Sequence, residues 1–193
     1  VGSVGAVPLA FYTNSTERMK IDSSGNVTIG NGGALRGSHG SGNIGSNLAL
    51  GDGALGSNTT GYSNTANGVN ALINNTTGVE NIANGYAALN SNTTGYDNNA
   101  SGNGALYSNT TGGYNTGMGS GVLSKNTTGA ENTGHGYQAG TAITTGKYNT
   151  CVGSIAGRQI TTGTLNTCIG RDAGIGYGAI ITGSNNTCIG AGA

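Results

Sequence analysis

Asn64-Thr-Ala-Asn-Gly-Val-Asn-Ala-Leu-Ile-Asn-Asn-Thr-Thr-Gly-Val-Glu80 is followed without a gap by Asn81-Ile-Ala-Asn-Gly-Tyr-Ala-Ala-Leu-Asn-Ser-Asn-Thr-Thr-Gly-Tyr-Asp97. The two stretches are copies of one 17-residue unit, Asn-Thr-Ala-x-Gly-x-x-Ala-Leu-x-x-Asn-Thr-Thr-Gly-x-x, numbered here from position 1 at its first Asn. A fixed period of this size is the signature of a repeat architecture. Working outward, Thr-Thr-Gly begins at Thr59, Thr76, Thr93, Thr110, Thr127, Thr144 and Thr161, always 17 residues apart. Ile181-Thr-Gly then follows after 20 residues, which reads as one unit carrying a three-residue insertion. Asn64, Asn81, Asn98, Asn115, Asn132, Asn149, Asn166 and Asn186 hold position 1, and a Gly stands four residues after each. The register extends back to Asn47/Gly51 and, with an insertion, to Asn26/Gly30, giving ten units over residues 26–193.

The unit lacks a 3.6-residue apolar period, which argues against helical repeats. It has two Gly-marked corners and two short stretches of Thr, Val, Ile and Ala suited to strands. At about 3.3 Å per residue, one unit is long enough for one turn of a β-solenoid. Stacked units bring identical residues into ladders, and an Asn ladder can satisfy its amides with its own copies. Glycine at the corners supplies positive φ or close backbone approach. The expectation is an all-β chain: a parallel β-solenoid or β-roll of about ten 17-residue rungs over residues 26–193, preceded by an N-terminal β segment or connector at residues 1–25.

Position 3 tests that reading. It holds Thr28, Ala49, Ala66, Ala83, Ala100, Gly117, Gly134, Cys151, Cys168 and Cys188, all small, as a cramped inward site requires. Position 8 is nearly always Ala. Position 9 is Leu at Leu55, Leu72, Leu89, Leu106 and Leu123, then Gly at Gly140, Gly157 and Gly174. In those later units Ile143, Ile160 and Ile180 replace the Asn of position 12, so the cross-section is expected to change near residue 139. Two to four apolar side chains per rung make a thin core against a backbone entropy cost of over about 1 kcal/mol per residue. Position 4, which is Val152, Ile169 and Ile189 in the last units, is therefore expected to face another subunit in a threefold fibre.

Composition agrees with a rod and excludes other classes. Among 193 residues there are 40 Gly, and Asn and Thr contribute 26 each; charged residues are 7 %, with seven basic and seven acidic. Glycine this dense opposes helix. No basic surplus exists to neutralise phosphates, so nucleic acid is not an expected partner. No apolar run is long enough to insert into a membrane as a helix. Disorder is opposed by the scarcity of Pro, Glu, Lys and net charge, and above all by the register.

The residues Pro8-Leu-Ala-Phe-Tyr-Thr-Asn-Ser-Thr-Glu-Arg-Met-Lys-Ile-Asp-Ser-Ser-Gly-Asn-Val-Thr-Ile-Gly30 resemble a segment of bacteriophage tail fibres and related virion appendages. There such a segment often lies upstream of an intramolecular chaperone of the endosialidase type. The Asn-Thr-Cys-Ile-Gly form of the repeat resembles the head repeats of trimeric autotransporter adhesins of the YadA type, which are trimeric left-handed β-rolls. The 17-residue unit is longer than the usual adhesin head repeat. What the likeness implies is a homotrimeric structural segment of a virion tail fibre, extending toward a host cell and adhering to a surface glycan or protein. A bacterial adhesin head at the cell surface is the second reading, and an ice- or surface-binding solenoid built on the Thr-Thr ladder the third.

Catalytic chemistry has little to draw on. His39 and His135 lack a Cys or carboxylate at ligand or dyad spacing, and His135 reads as a wall residue at position 4. A polysaccharide-cleaving spike would need paired carboxylates in a groove. Glu80, Asp97 and Glu131 follow the Thr-Thr-Gly corner, one carboxylate per rung, too few oxygens for calcium and better suited to a solvated edge. No Gly corner continues into the Gly-Lys-Ser/Thr of a phosphate loop. Neither enzyme activity nor a cofactor or metal is expected. Cys151, Cys168 and Cys188 sit in the small inward site and read as buried free thiols acting as small hydrophobes. The sequons at Asn58, Asn75 and Asn92 arise from the repeat itself. Tyr62, Tyr96, Tyr114 and Tyr148, just after the Gly corner, are the candidate contacts to a glycan or surface; their alternative role is to plug corners over a thin core.

Overall fold

A computed structural model describes residues 47–175 and 182–193 throughout, and in residues 9–37 the strands β1 (Leu9–Thr13), β2 (Thr16–Ile21), β3 (Val27–Ile29) and β4 (Gly33–Gly37). Nine further strands follow: β5 (Leu48–Leu50), β6 (Thr65–Asn67), β7 (Ile82–Asn84), β8 (Asn99–Ser101), β9 (Thr116–Met118), β10 (Thr133–His135), β11 (Thr150–Val152), β12 (Thr167–Ile169) and β13 (Thr187–Ile189). All thirteen lie side by side in chain order. From β5 onward each strand pairs in parallel with the next, position for position, so Ala66 meets Ala83 and Cys151 meets Cys168. This is the expected all-β parallel solenoid, with a repeat of about 17 residues and no helix among the described residues.

The stack has nine parallel strands rather than ten. β3, which carries Thr28, runs antiparallel to both neighbours and pairs Thr28 with Lys20 and Ala34 instead of Ala49. Strand direction thus reverses between β3 and β4, against the register that the spacing from Asn26 implied. Asn26 and Gly30 themselves, with His39 and Ile180, lie outside the described residues.

Only one of the two strand-suited stretches in each unit is a strand. Positions 2–4 are extended; positions 5–12 coil through overlapping turns, as in Ala54 N–H to Gly51 O, Gly56 N–H to Gly53 O and Asn58 N–H to Leu55 O. The cause is backbone conformation. Positions 7, 9 and 17 are left-handed in rung after rung: Asn70, Leu72 and Glu80 have φ of 59°, 51° and 58°. Position 5 is always Gly, with φ between 123° and 143°. A Cβ on Gly85 would stand 2.5 Å from the carbonyl oxygen of Gly102 on the next rung. Position 15 requires Gly for space alone, since a Cβ on Gly78 would reach the Gly95 carbonyl oxygen at 2.4 Å.

The core is a column of Ala at positions 3 and 8 and Leu at position 9, closed to solvent from Ala66 to Leu123 except where other residue types intervene. At β9 and β10 position 3 becomes Gly117 and Gly134, because Val122 replaces the usual Ala beside them. A Cβ on Gly134 would lie 2.5 Å from Val122 Cγ2. From Gly140 on the core residue is exchanged between walls. Ile143 and Ile160 are fully buried, and a Cβ on Gly140 would meet Leu123 Cδ2 at 2.8 Å and Ile143 Cδ1 at 3.0 Å. The volume that Leu fills from one wall in early rungs is filled by Ile from the facing wall in later ones.

Candidate functional site

Each Asn64-type side chain leaves nothing for a ligand. Asn98 accepts at Oδ1 from the backbone N–H and the amide of Asn115, both at 3.0 Å. Its own Nδ2 donates to Asn81 Oδ1 at 3.0 Å and to Gly112 O at 2.8 Å. The pattern runs from Asn47 to Asn186, with Asn64, Asn81, Asn115, Asn132, Asn149 and Asn166 repeating it. A second ladder at position 12 joins Asn58, Asn75, Asn92, Asn109 and Asn126. It stops where Ile143 replaces Asn, leaving Asn126 Oδ1 buried and without a hydrogen-bond partner. Among the described residues every buried polar side chain is an asparagine of one of these two ladders. The sequon residues Asn75 and Asn92 are thus interior.

Cys151 and Cys168 are buried, Cys188 is half-buried, and all three are free thiols. The thiol of Cys151 interacts with the Cys168 sulfur, and this contact together with burial holds its proton far above the usual thiol range. Burial raises Cys188 as well. Cys168 is drawn the other way, to about 7, chiefly by the hydrogen bond from the Cys151 thiol, but its side chain is closed to solvent in the core. Among the described residues no three His, Cys, Asp or Glu side chains gather as a metal site. His135 stands on the outer face of β10, exposed.

The first Thr of each Thr-Thr corner is committed to the backbone. Thr93 Oγ1 donates to Thr110 O at 3.1 Å, and the N–H groups of Thr93, Thr94 and Gly95 converge on the same oxygen. From Thr76 on the first Thr is half-buried, whereas the second Thr column, at Thr60, Thr77, Thr94 and their successors, stands exposed.

The tyrosines are different. Tyr62, Tyr96, Tyr114 and Tyr148 leave 40 to 54 % of their surface to solvent, more than a plug over the core would. They stand along one corner of the stack, at positions 16 and 17, with Glu80, Asp97 and Glu131 in the same column. The rings of Tyr96 and Tyr114 meet edge to face, with centroids 5.1 Å apart and planes at 83°. Tyr96 lies over the backbone of the next rung: a Cβ on Gly113 would stand 3.0 to 3.2 Å from three of its ring atoms. Tyr96, followed by the charges of Asp97, Glu131 and Glu80, raises the Tyr114 phenol above its ordinary value. The Tyr148 phenol is raised chiefly by its hydrogen bond to the Glu131 carboxylate.

Spacing after the Gly corner identified these four rings. It did not single out Tyr86, Tyr107 and Tyr137, equally exposed but at positions 6 and 10, away from the acidic column. The role of Gly113 was also missed, although Thr110-Thr-Gly-Gly-Tyr114 departs visibly from Thr-Thr-Gly-Tyr. No family model, curated protein or solved structure matches the chain.

Proposed function

We propose that this chain is a rigid structural segment of a homotrimeric appendage of the tail-fibre kind, which carries a surface toward a host cell and contributes to adhesion. The observation that supports this reading most is the division of labour within each rung. Inward positions are filled by Ala, Leu, Ile, Cys and self-satisfying Asn ladders, so nothing inside is left for catalysis or transport. Outward positions vary more, the exposed second Thr of each Thr-Thr corner excepted. Eight steps of about 4.8 Å from β5 to β13 give a length of about 40 Å, obtained from repetition of one short unit.

Trimer formation has its own support. The outer face of β5–β13 exposes Leu50, Met118, Ile169 and Ile189 at position 4, and Leu48 and Ile82 at position 2. Asn67, Asn84, Ser101 and His135 interrupt this row at position 4, so the apolar side chains gather toward the two ends of the sheet. Its outer face is bare, whereas parallel sheets are normally covered on both sides. Light scattering at micromolar concentration is expected to give three times the chain mass; a monomer overturns the trimer. Replacing Ile169 and Ile189 by Asp is expected to dissociate it. A cryo-EM end view would show a threefold cross-section with the strand face inward.

The bacterial adhesin head shares this architecture and differs only in what the remainder of the gene encodes. A β-barrel anchor encoded downstream would favour that reading, while neighbouring virion genes would favour the tail fibre. The ice-binding reading has the weaker support, because half of the Thr-Thr hydroxyls already donate to backbone carbonyls.

A further inference from the structure

Along the corner formed by positions 16 and 17, successive rungs carry Tyr62, Glu80, Tyr96 with Asp97, Tyr114, Glu131 and Tyr148. We infer that this stripe is a binding site for a linear, uncharged pyranose polymer lying parallel to the stack. This rests on the reading of the chain as a segment presented to a cell surface.

Three observations carry it. The first is spacing: rungs about 4.8 Å apart nearly match the length of one pyranose in an extended glycan, so a chain laid along the stack stays in step with it. Tyr62 and Tyr96 are two rungs apart, Tyr96 and Tyr114 one, and Tyr114 and Tyr148 two. The four rings therefore cover five steps, about 24 Å, enough for several sugars.

The second observation is that two of the rings, Tyr96 and Tyr114, are held in place before any ligand arrives. Tyr96 rests on the bare backbone of Gly113, and its contact with Tyr114 sets both rings. Rings already ordered lose little freedom on binding, and an aromatic face suits the C–H face of a sugar.

The third is charge. Glu80, Asp97 and Glu131 lie among the rings, with Lys147 as the cation of that column. Carboxylates accept hydrogen bonds from sugar hydroxyls and repel uronate or sialate groups. This selects neutral polymers over acidic ones.

The test uses the intact chain titrated with cellohexaose, and separately with polygalacturonate, followed by NMR shifts of the tyrosine rings and by calorimetry. Cellohexaose is expected to bind at millimolar concentration or below, with shifts confined to Tyr62, Tyr96, Tyr114 and Tyr148. Polygalacturonate is expected not to bind. Tyr96→Ala and Tyr114→Ala should each weaken binding about tenfold, while Tyr107→Ala, outside the stripe, leaves it unchanged. Asp97→Asn combined with Glu131→Gln should admit polygalacturonate. No binding of cellohexaose, or binding indifferent to Tyr96 and Tyr114, overturns the site; equal binding of both polymers overturns its selectivity. Light scattering on the same samples reports the trimer independently, so failure of the glycan site and failure of the fibre reading are told apart. Circular dichroism of each variant shows whether the rung survives the substitution.

Discussion

Asn98 is representative of what one residue does here. Its amide oxygen accepts from two donors of Asn115 on the next rung, and its amide nitrogen donates to Asn81 Oδ1 and to the Gly112 carbonyl. Asn98→Asp keeps the shape but cannot donate to Asn81 Oδ1 or Gly112 O, and it buries a charge. A buried group stripped of its partners costs about 1–3 kcal/mol, and a charge more. Asn98→Asp is expected to destabilise the chain by about 4 kcal/mol, read from the denaturant midpoint. The tyrosine stripe makes a residue-scale prediction of another kind. A phenol with a raised pKa keeps its proton longer in the folded chain than in the unfolded one. Its contribution to stability is therefore complete below the ordinary value of 10.0 and fades as pH rises through the folded value. Glu131→Gln removes the leading cause at Tyr148 but only a minor one at Tyr114. Tyrosinate absorbance should show Tyr148 titrating lower in that variant, with Tyr114 moved less.

At the scale of the rung, glycines with the same appearance in the sequence have different duties. Gly102 at position 5 has φ of 139° and faces the Gly119 carbonyl oxygen, which a Cβ would approach to 2.4 Å. Gly104 at position 7 has φ of 61° and open space around it, and Ala87 occupies the same position one rung earlier. Gly102→Ala is expected to cost about 3 kcal/mol or more, and Gly104→Ala about 1 kcal/mol, by thermal or chemical unfolding. The Leu-to-Gly switch at position 9 follows from the same balance. A left-handed Leu costs about 1–2 kcal/mol, and full burial of its side chain returns about 1.5–3 kcal/mol. Later rungs avoid the strain with Gly and recover the burial through Ile143 or Ile160. Gly140→Leu alone overfills the core, and Ile143→Asn alone empties it. Together they restore the early-rung pair and give Asn126 Oδ1 the partner it lacks. A double-mutant cycle should show the pair less destabilising than the sum of the singles by about 1 kcal/mol or more.

At the scale of the molecule, each rung touches only its neighbours, so stability is close to a sum over rungs and their interfaces. Removing residues 81–97, one whole unit, joins Glu80 to Asn98 in correct register. That deletion is expected to leave a folded, cooperative rod shortened by about 4.8 Å. Removing residues 81–88 instead puts outward residues inside and is expected to abolish folding. Circular dichroism and small-angle scattering distinguish the two.

Much of this was legible because the repeat is strict. With identical units stacked in register, Asn64, Asn81 and Asn98 had to meet one another, and position 3, limited to Ala, Gly and Cys from Ala49 onward, had to be inside. The exchange of Leu for Ile between positions 9 and 12 was also visible as a compensating pair. The errors arose where the repeat falters or where backbone conformation rules. The unit at Asn26 has the right letters, yet β3 belongs to a hairpin, since register alone does not state strand direction. Each unit offered two stretches suited to strands, yet left-handed residues at positions 7 and 9 turn the part after the Gly at position 5 into a coil. Which tyrosine rings touch, and that Gly113 is the floor beneath Tyr96, depends on contacts between rungs. Side-chain spacing along the chain determined the rung, its ladders and its core. Only the tertiary structure decided direction, curvature and the company each exposed ring keeps, because those are set by φ and by neighbours 17 residues away rather than by the order of residue types.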